Sequence, residues 1–599
     1  MKLFASFLLV TCLVTGNLAL EWWENANYYQ IYPKSYADAN NDGTGDLAGI
    51  QSKIPYLKEL GMDAVWLSPI FKSSWKDGGY DISDFKAIDP VFGTMKDFES
   101  LLATCKEHGI KLILDFVPNH SSNECEWFLK SERKEAGFED FYIWHPGKPQ
   151  GSGQPLPPNN WNSVFRGSAW EWSDVRKEYY LHQFAIAQPD LNYRSENVVK
   201  EMKSVLKFWL DKGVDGFRVD AIPHLFEVEK DKDGNYPDEP LSGDCTDDSL
   251  KHCYLSHIYT QNYPETYDMV YQWREVLDTY KDSPRLMMTE AYTPLENIMK
   301  YFGDGKKNGS HIPFNFEVLT STSATSTAKQ LKITSENYMN HLPAGRFGNW
   351  VLGNHDQRRI KSRLGGEARA EVFNFFLQTM PGHAITYQGE EIIMEDVHIS
   401  WAETQDPQAC NTNSTVYDEY SRDPARTPMQ WNNSTNAGFN NGTKTWLPVG
   451  SNYKTLNVAL QESAENSHLK IFKKLVQLHK LPAFREGLYE SANNLDENIY
   501  SYIRTHGEES YLVALNLAKQ NKTINFGNVF RHLKPSGEVV LSSLNSKIAE
   551  KTKIVMHDNV VLSPESALVV KMNGASTLIV STIALLATVV MTFFNNFMN

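Results

Sequence analysis

Short apolar runs alternate with helix-like stretches through most of the chain, and that alternation restricts the fold more than any other feature. Tyr29-Gln30-Ile31-Tyr32, Ala64-Val65-Trp66-Leu67 and Lys111-Leu112-Ile113-Leu114-Asp115-Phe116 read as strands. Between the first two, Ile50 to Leu60 carries helical periodicity and stops at Gly61. Val199 to Leu210 returns to helical spacing before a fourth strand, Gly213 to Val219, and His468 to His479 reads as the last helix of this pattern. Strands separated by helices predict a parallel sheet with crossover connections. From about Glu486 the text changes to short apolar runs, Tyr511 to Leu515, Val560 to Leu562 and Leu568 to Val570, divided by polar residues, Gly and Pro. That predicts an antiparallel β-sandwich. A chain of 599 residues exceeds what one core holds, so several domains are expected.

The fourth strand and two further apolar runs are each followed by a carboxylate. Asp220 follows Gly216-Phe217-Arg218-Val219, Glu290 follows Leu286-Met287-Met288-Thr289, and Asp356 follows Trp350-Val351-Leu352 within Asn354-His355-Asp356-Gln357. In a β/α barrel the carboxyl ends of the strands converge, so three such acids would meet over one axis. A single loop Asp is usually a solvated charge. Three at strand ends, two beside Arg or His, point to chemistry. Residues two apart on a strand share a face, so Arg218 is predicted to hold Asp220 ionised. Cleaving a glycosidic bond needs one carboxyl ionised and another still protonated near neutral pH.

The same segments carry a family resemblance. Asp115-Phe116-Val117-Pro118-Asn119-His120, Gly216 to Ala221, Glu290-Ala291-Tyr292 and Asn354-His355-Asp356 resemble, in order, the four conserved segments of the α-amylase superfamily of retaining glycoside hydrolases. Gln188-Pro189-Asp190-Leu191-Asn192 and Ser421 to Trp431 are similar to stretches of its α-glucosidase and oligo-1,6-glucosidase branch, and the nearest likeness is to insect gut maltases. The resemblance implies a (β/α)8 barrel over 21–118 and 193–485, a subdomain inserted after strand three over 119–192, and a C-terminal β-sandwich over 486–572. It implies hydrolysis of terminal α-1,4-linked glucose from maltose, sucrose and short oligosaccharides, with Asp220 as nucleophile, Glu290 as general acid and base, and Asp356 as transition-state stabiliser.

The resemblance also supplies the binding residues. Asp77 and Tyr80 would line the subsite for the non-reducing glucose, His120 and His355 would donate to its hydroxyls, and Arg422 would clamp it. Phe165, Phe184 and Gln188 would be neighbours, with Arg218 beneath the nucleophile. Ala221, smaller than the Val of relatives favouring α-1,6 bonds, implies a preference for α-1,4 disaccharides and sucrose over isomaltose. Taken singly, Asp77 is an acid in a turn and the Phe pair is core. Asp38-Ala39-Asn40-Asn41-Asp42-Gly43-Thr44-Gly45-Asp46 alternates oxygen donors around a glycine, as calcium loops do. Position twelve is Gly49 rather than Glu and the loop follows a strand, so it is no EF-hand. Relatives hold Ca2+ or magnesium here, which implies a structural ion on Asp38, Asn40, Asp42, Thr44 and Asp46. The alternative is a metal-free loop of Asx turns.

Both termini carry processing signals. Met1-Lys2, an apolar run from Leu3 to Val14 and small residues to Ala19 read as a secretory signal peptide over 1–20. Leu578 to Phe594 is apolar, no Lys or Arg follows it, and Asn573-Gly574-Ala575-Ser576 precedes it. Over 573–599 that favours exchange for a GPI lipid anchor above a retained membrane helix, and places the protein on the extracellular face of the plasma membrane, at the gut apical surface. Sequons at Asn308, Asn413, Asn433, Asn441 and Asn521 fit a glycosylated surface, whereas Asn119, within a motif, is expected unmodified. Secretion permits disulfides. Cys245 with Cys253 is the nearest pair, Cys105 with Cys125 a second candidate, and Cys410 would be left over.

Acidic residues outnumber basic ones, 73 to 58, giving a net charge of −15. No basic stripe offers phosphate contacts, which excludes nucleic acid as a partner and suits a neutral sugar. The resemblance adds three alternatives. Transporter heavy chains share the barrel but carry an amino-terminal anchor and lose the acids. A transglycosylase would share the covalent intermediate, and some anchored gut maltases of mosquitoes dock a bacterial binary toxin. A homodimer is a further expectation.

Overall fold

The computed structural model describes residues 21–24, 26–151, 153–492, 496–531 and 533–573. The signal peptide and the apolar carboxyl-terminal run lie outside the described residues. Among those described, no helix is long and apolar enough to cross a membrane.

Eight strands form one parallel sheet: β1 Asn27–Ile31, β2 Ala64–Leu67, β3 Lys111–Phe116, β4 Gly216–Val219, β5 Leu286–Thr289, β6 Ile312–Pro313, β7 Asn349–Val351 and β8 His383–Tyr387. Their order in space follows the chain from β1 to β6, and β8 pairs with both β7 and β1. This is the expected β/α barrel. Strands β6 and β7 are joined by side chains instead of a ladder. Asn349 Nδ2 donates to the Pro313 carbonyl at 2.7 Å and its Oδ1 accepts the Asn315 N–H at 2.8 Å. Pro313 has no N–H to give a ladder, so an amide side chain closes the ring.

Local sequence sets the element ends. Gly61 caps the helix Ile54–Leu60 at φ +93°, a region that only glycine enters without a Cβ penalty. Gly216 is required by a close approach: a Cβ there would lie 2.3 Å from the Leu286 carbonyl oxygen of β5. The predicted fourth strand begins three residues late, because Gly213 at φ +104° is the C-cap of the helix Glu196–Lys212. The predicted helix Ile50–Leu60 divides at Lys53 into Leu47–Ser52 and Ile54–Leu60, with Pro55 in the first turn of the second.

Between β3 and the helix Glu196–Lys212 the chain forms a short helix, Glu126–Glu132, and a three-stranded antiparallel sheet of Trp144–His145, Glu178–Leu181 and Trp170–Ser173. Its small core of Ile143, Trp161, Trp170 and Leu181 is completed by Tyr236, from the long loop after β4. The carboxyl-terminal part is a six-stranded antiparallel sheet covered on one side by the pair Lys522–Asn525 and Asn559–Leu562. Its other face packs Tyr500, Tyr502, Tyr511 and Val513 against Phe373, Phe376 and Leu475 of the barrel helices. Buried Arg504 donates to the carbonyls of Thr379, Phe484 and Gly487 across that junction.

Cys245 and Cys253 form a disulfide. The pairing of Cys105 with Cys125 is not made, and both are buried free thiols. Cys105 lies in the last turn of the helix Met95–Glu107, which feeds the amino end of β3, while Cys125 lies beyond its carboxyl end. Six extended residues, about 20 Å, separate those two levels. All five surface sequon asparagines are exposed, and Asn119 is buried with its amide donating to Asp190.

Candidate active site

The three strand-end acids converge on one cavity of about 580 Å³ at the carboxyl end of the barrel. Asp220 directly follows β4, Glu290 directly follows β5, and Asp356 sits on the loop after β7. Asp77, Tyr80, His120, Phe165, Phe184, His355 and Arg422 share the wall with them. Two residues predicted for the site do not reach it. Arg218 is 2% exposed and lies beneath the floor. Gln188 is fully buried, its Oε1 accepting the Ala185 N–H and its Nε2 donating to Asp77 at 3.1 Å, so it positions Asp77.

Arg218 organises the floor. Its Nη1 donates to Asp220 Oδ1 at 2.5 Å and to both oxygens of Asp115 at 2.9 and 3.1 Å, and its Nη2 stands 3.4 Å from Glu290 Oε2. The rings of Trp66 and Tyr80 flank the guanidinium at 5.0 and 5.9 Å. Asp115 also accepts from Trp66 Nε1 and the Tyr80 hydroxyl. Glu290 accepts the backbone N–H of Ala221 at 2.7 Å. That N–H is aimed by the left-handed backbone of Ala221, at φ +48°, an uncommon conformation for a residue with a Cβ.

Burial raises the carboxyls of Asp220 and Glu290. Arg218 opposes the rise on both, while Glu290 adds to it on Asp220 and Asp356 adds to it on Glu290. Arg218 therefore draws both acids toward their charged forms against burial. One guanidinium is divided among three carboxylates, and burial outweighs its share. The two acids titrate as a pair that keeps a proton at a pH where free carboxyls have lost theirs.

Asp356 goes the other way. Burial opposes its charge, but His355, Arg422, Arg426 and Arg218 outweigh it and hold the carboxyl well below the usual range. Arg426 Nη2 and Arg422 Nη1 donate to its Oδ1 at 2.9 and 3.2 Å. Burial pushes His355 itself down to about 3, so it is neutral, and the charge that sustains Asp356 comes from the arginines. The His355 ring stacks on Tyr80 at 5.3 Å, with its Nε2 2.7 Å from the Tyr80 hydroxyl and its Nδ1 2.7 Å from Gln30 Nε2. His120, also pushed down to about 3 by burial, lies with Nε2 3.2 Å from the Tyr80 carbonyl.

A second ionic cluster closes one end of the cavity. Arg422 donates to Asp77 Oδ1 at 2.8 Å and to Asp406 Oδ1 at 2.6 Å, and its guanidinium lies 5.0 Å from the Phe165 ring. Asp406, Arg426, Gln30 and Trp66 were not legible as site residues, and neither was the Ala221 N–H. Asp115, near the end of β3 within the Asp115–His120 motif, carried the signal of a strand-end acid. Asp406 lies in a loop without pattern, and only its fold against Arg422 reveals it.

The Asp38 to Asp46 loop stands apart from this cavity. Asp38 accepts N–H groups of Asn41 and Gly43 and the Asn440 amide, and Asp46 accepts those of Ala39, Asn40 and Gly49. Asn40 and Asp42 each accept one further N–H. Among the described residues no group of three or more His, Cys, Asp or Glu is poised as metal ligands. The donors are nevertheless all oxygen, and exposed Asp42 spends only one carboxylate oxygen on the loop, which fits a hard cation.

Comparison with known proteins agrees with this geometry. The alpha-amylase catalytic-domain model matches residues 30–487. Maltase A1 of Drosophila melanogaster is 54% identical over 88% of this chain and 92% of its own length. A salivary alpha-glucosidase of Aedes aegypti is 48% identical over 95% and 98%. Among solved structures, a variant of the trehalulose synthase MutB in complex with Tris superposes with a TM-score of 0.82 at 30% identity, over 92% of this chain and all of that one. A barrel with three acids at its strand ends, matched over most of its length, places the chain in the α-amylase family.

Proposed function

We propose that the protein is a retaining α-glucosidase that removes terminal α-1,4-linked glucose from maltose, sucrose and short oligosaccharides. The observation that carries this reading is the convergence of Asp220, Glu290 and Asp356 on one cavity whose end is closed by the Asp77–Arg422–Asp406 cluster. A closed end suits a single non-reducing glucose held by its hydroxyls. Asp220 makes the shorter, charge-assisted bond to Arg218, so the negative charge of the pair belongs on Asp220 and the proton on Glu290. Asp220 attacks the anomeric carbon while Glu290 protonates the departing oxygen. Glu290, now a carboxylate, then takes a proton from water as that water displaces Asp220. Asp356, held ionised, faces the developing positive charge on the sugar. Two acids on one guanidinium suit the closer carboxylate spacing, about 5–5.5 Å, of retaining enzymes. The three acids also tell against a silent transporter subunit.

Ala221 bears on linkage. It lies on the wall beside both acids in a left-handed conformation that β-branched side chains avoid, so the space next to the departing sugar stays open. Purified enzyme is expected to release glucose from maltose and sucrose with kcat/KM about tenfold above that on isomaltose. A preference for isomaltose, or initial release of β-glucose from sucrose, would remove this reading.

We further propose a structural calcium ion on Asp38, Asn40, Asp42, Thr44 and Asp46. The ion would tie the loop after β1 to the segment carrying Asn440. Chelation is expected to lower Tm, with restoration by Ca2+, and Asp42→Ala should abolish the response. An unchanged Tm would leave the loop held by its turns alone.

A further inference from the structure

The cavity wall includes a residue that no strand-end motif marks. His252 lines the same cavity as Asp220 and Glu290, together with His224 and Gln261. It belongs to the long loop after β4 and directly precedes Cys253, which the disulfide ties to Cys245. Its ring lies flat on His257, with centroids 3.6 Å apart and planes 7° apart. His257 Nε2 is 2.7 Å from the His252 carbonyl, and Thr260, bonded to Glu239, lies 3.3 Å from His257 Nδ1. From the inserted region, Asn162 Nδ2 donates to the carbonyls of Ser249 and Lys251, and Arg166 pairs with Asp248. The loop is thus fastened at every turn. Yet among the described residues neither ring nitrogen of His252 has a hydrogen-bond partner. A fixed imidazole facing the cavity of the three acids with both nitrogens unused is a group kept for a ligand.

Connectivity identifies which sugar it meets. The Asn262 N–H donates to the Pro223 carbonyl at 2.8 Å, and Thr293, three residues after Glu290, donates to Asn262 Oδ1 at 2.8 Å. Gln261, next to Asn262, therefore lies on the Glu290 side of the cavity, and His252 lines the same cavity near His224, the residue after Pro223. We infer that the disulfide-closed loop forms the wall of the leaving-group subsite, and that His252 hydrogen-bonds a hydroxyl of the departing sugar and so sets selectivity for it. This inference rests on the glucosidase reading above.

The test compares two substrates with one glucosyl donor. Maltose fills the leaving-group side with glucose, whereas α-glucosyl fluoride leaves only fluoride there. His252→Ala is expected to lower kcat/KM on maltose about tenfold more than on α-glucosyl fluoride. Cys245→Ser with Cys253→Ser should give a split in the same direction. Parallel losses on both substrates, or none on either, would overturn the inference while leaving the glucosidase intact. Wild-type protein that cleaves neither compound would instead overturn the glucosidase reading, and this inference with it.

Discussion

Asp220→Asn should yield a folded protein whose turnover of maltose is lower by on the order of 10⁴-fold or more. The expected loss is chemical. The amide can still accept from Arg218 Nη1 through its oxygen, so the floor keeps its geometry. What disappears is the carboxylate charge that the proposed mechanism uses for attack. Burial and Glu290 raise the native carboxyl, which means that it costs stability at neutral pH. Removing it is expected to leave Tm unchanged or higher, as when a strained catalytic charge is traded for fold stability. Turnover by a variant with Asp220 replaced that stays within tenfold of wild type would take the residue out of the nucleophile's role. A collapse of Tm alongside activity would make its role structural.

The second large effect is expected at Arg218. Arg218→Met removes the cation shared by Asp115, Asp220 and Glu290 and leaves three buried carboxyls without it. Breaking such a cluster costs about 3–5 kcal/mol at neutral pH and abolishes activity. The sign of the pH dependence follows from the directions of the shifts. All three carboxyls are already raised by burial against the pull of Arg218, and its loss raises them further. A carboxyl with a raised folded pKa contributes its stability below the unfolded value and loses it as pH rises through the folded one. The Tm deficit of the variant should therefore be larger at pH 7 than at about pH 4.5, where the carboxyls are protonated to a larger extent in both states. Equal deficits at both pH values would mean that Arg218 acts by packing between Trp66 and Tyr80.

Some of the architecture was legible because it is written locally. β2, β3 and β5 fall where their apolar runs lie, and the helix His468–His479 spans its predicted residues. Buried strands need continuous apolar text, and Gly61 marks a helix end wherever it stands. The departures are local too. Gly213 reads as the start of a strand, although a glycine after a long helix serves as its C-cap. Cys105 and Cys125 look close along the chain, but a whole strand separates them.

The three converging acids could be read from the sequence because each follows its own strand closely, where a few residues of motif report both the strand and the carboxylate. Their electrostatics could not be read. Whether Asp220 is held ionised depends on how one guanidinium divides among Asp115, Asp220 and Glu290, residues from three strands. The charge on Asp356 likewise depends on Arg422 and Arg426, which arrive from a loop more than sixty positions later. Asp406, the Ala221 N–H and the His252 ring nitrogens, without a hydrogen-bond partner among the described residues, became visible only where distant loops meet. Sequence determined which strands form and which side chains crown them, because propensity and periodicity act over a few residues. Tertiary structure alone decided how charge is shared and which walls enclose the sugar, because desolvation and Coulomb forces depend on distance through space.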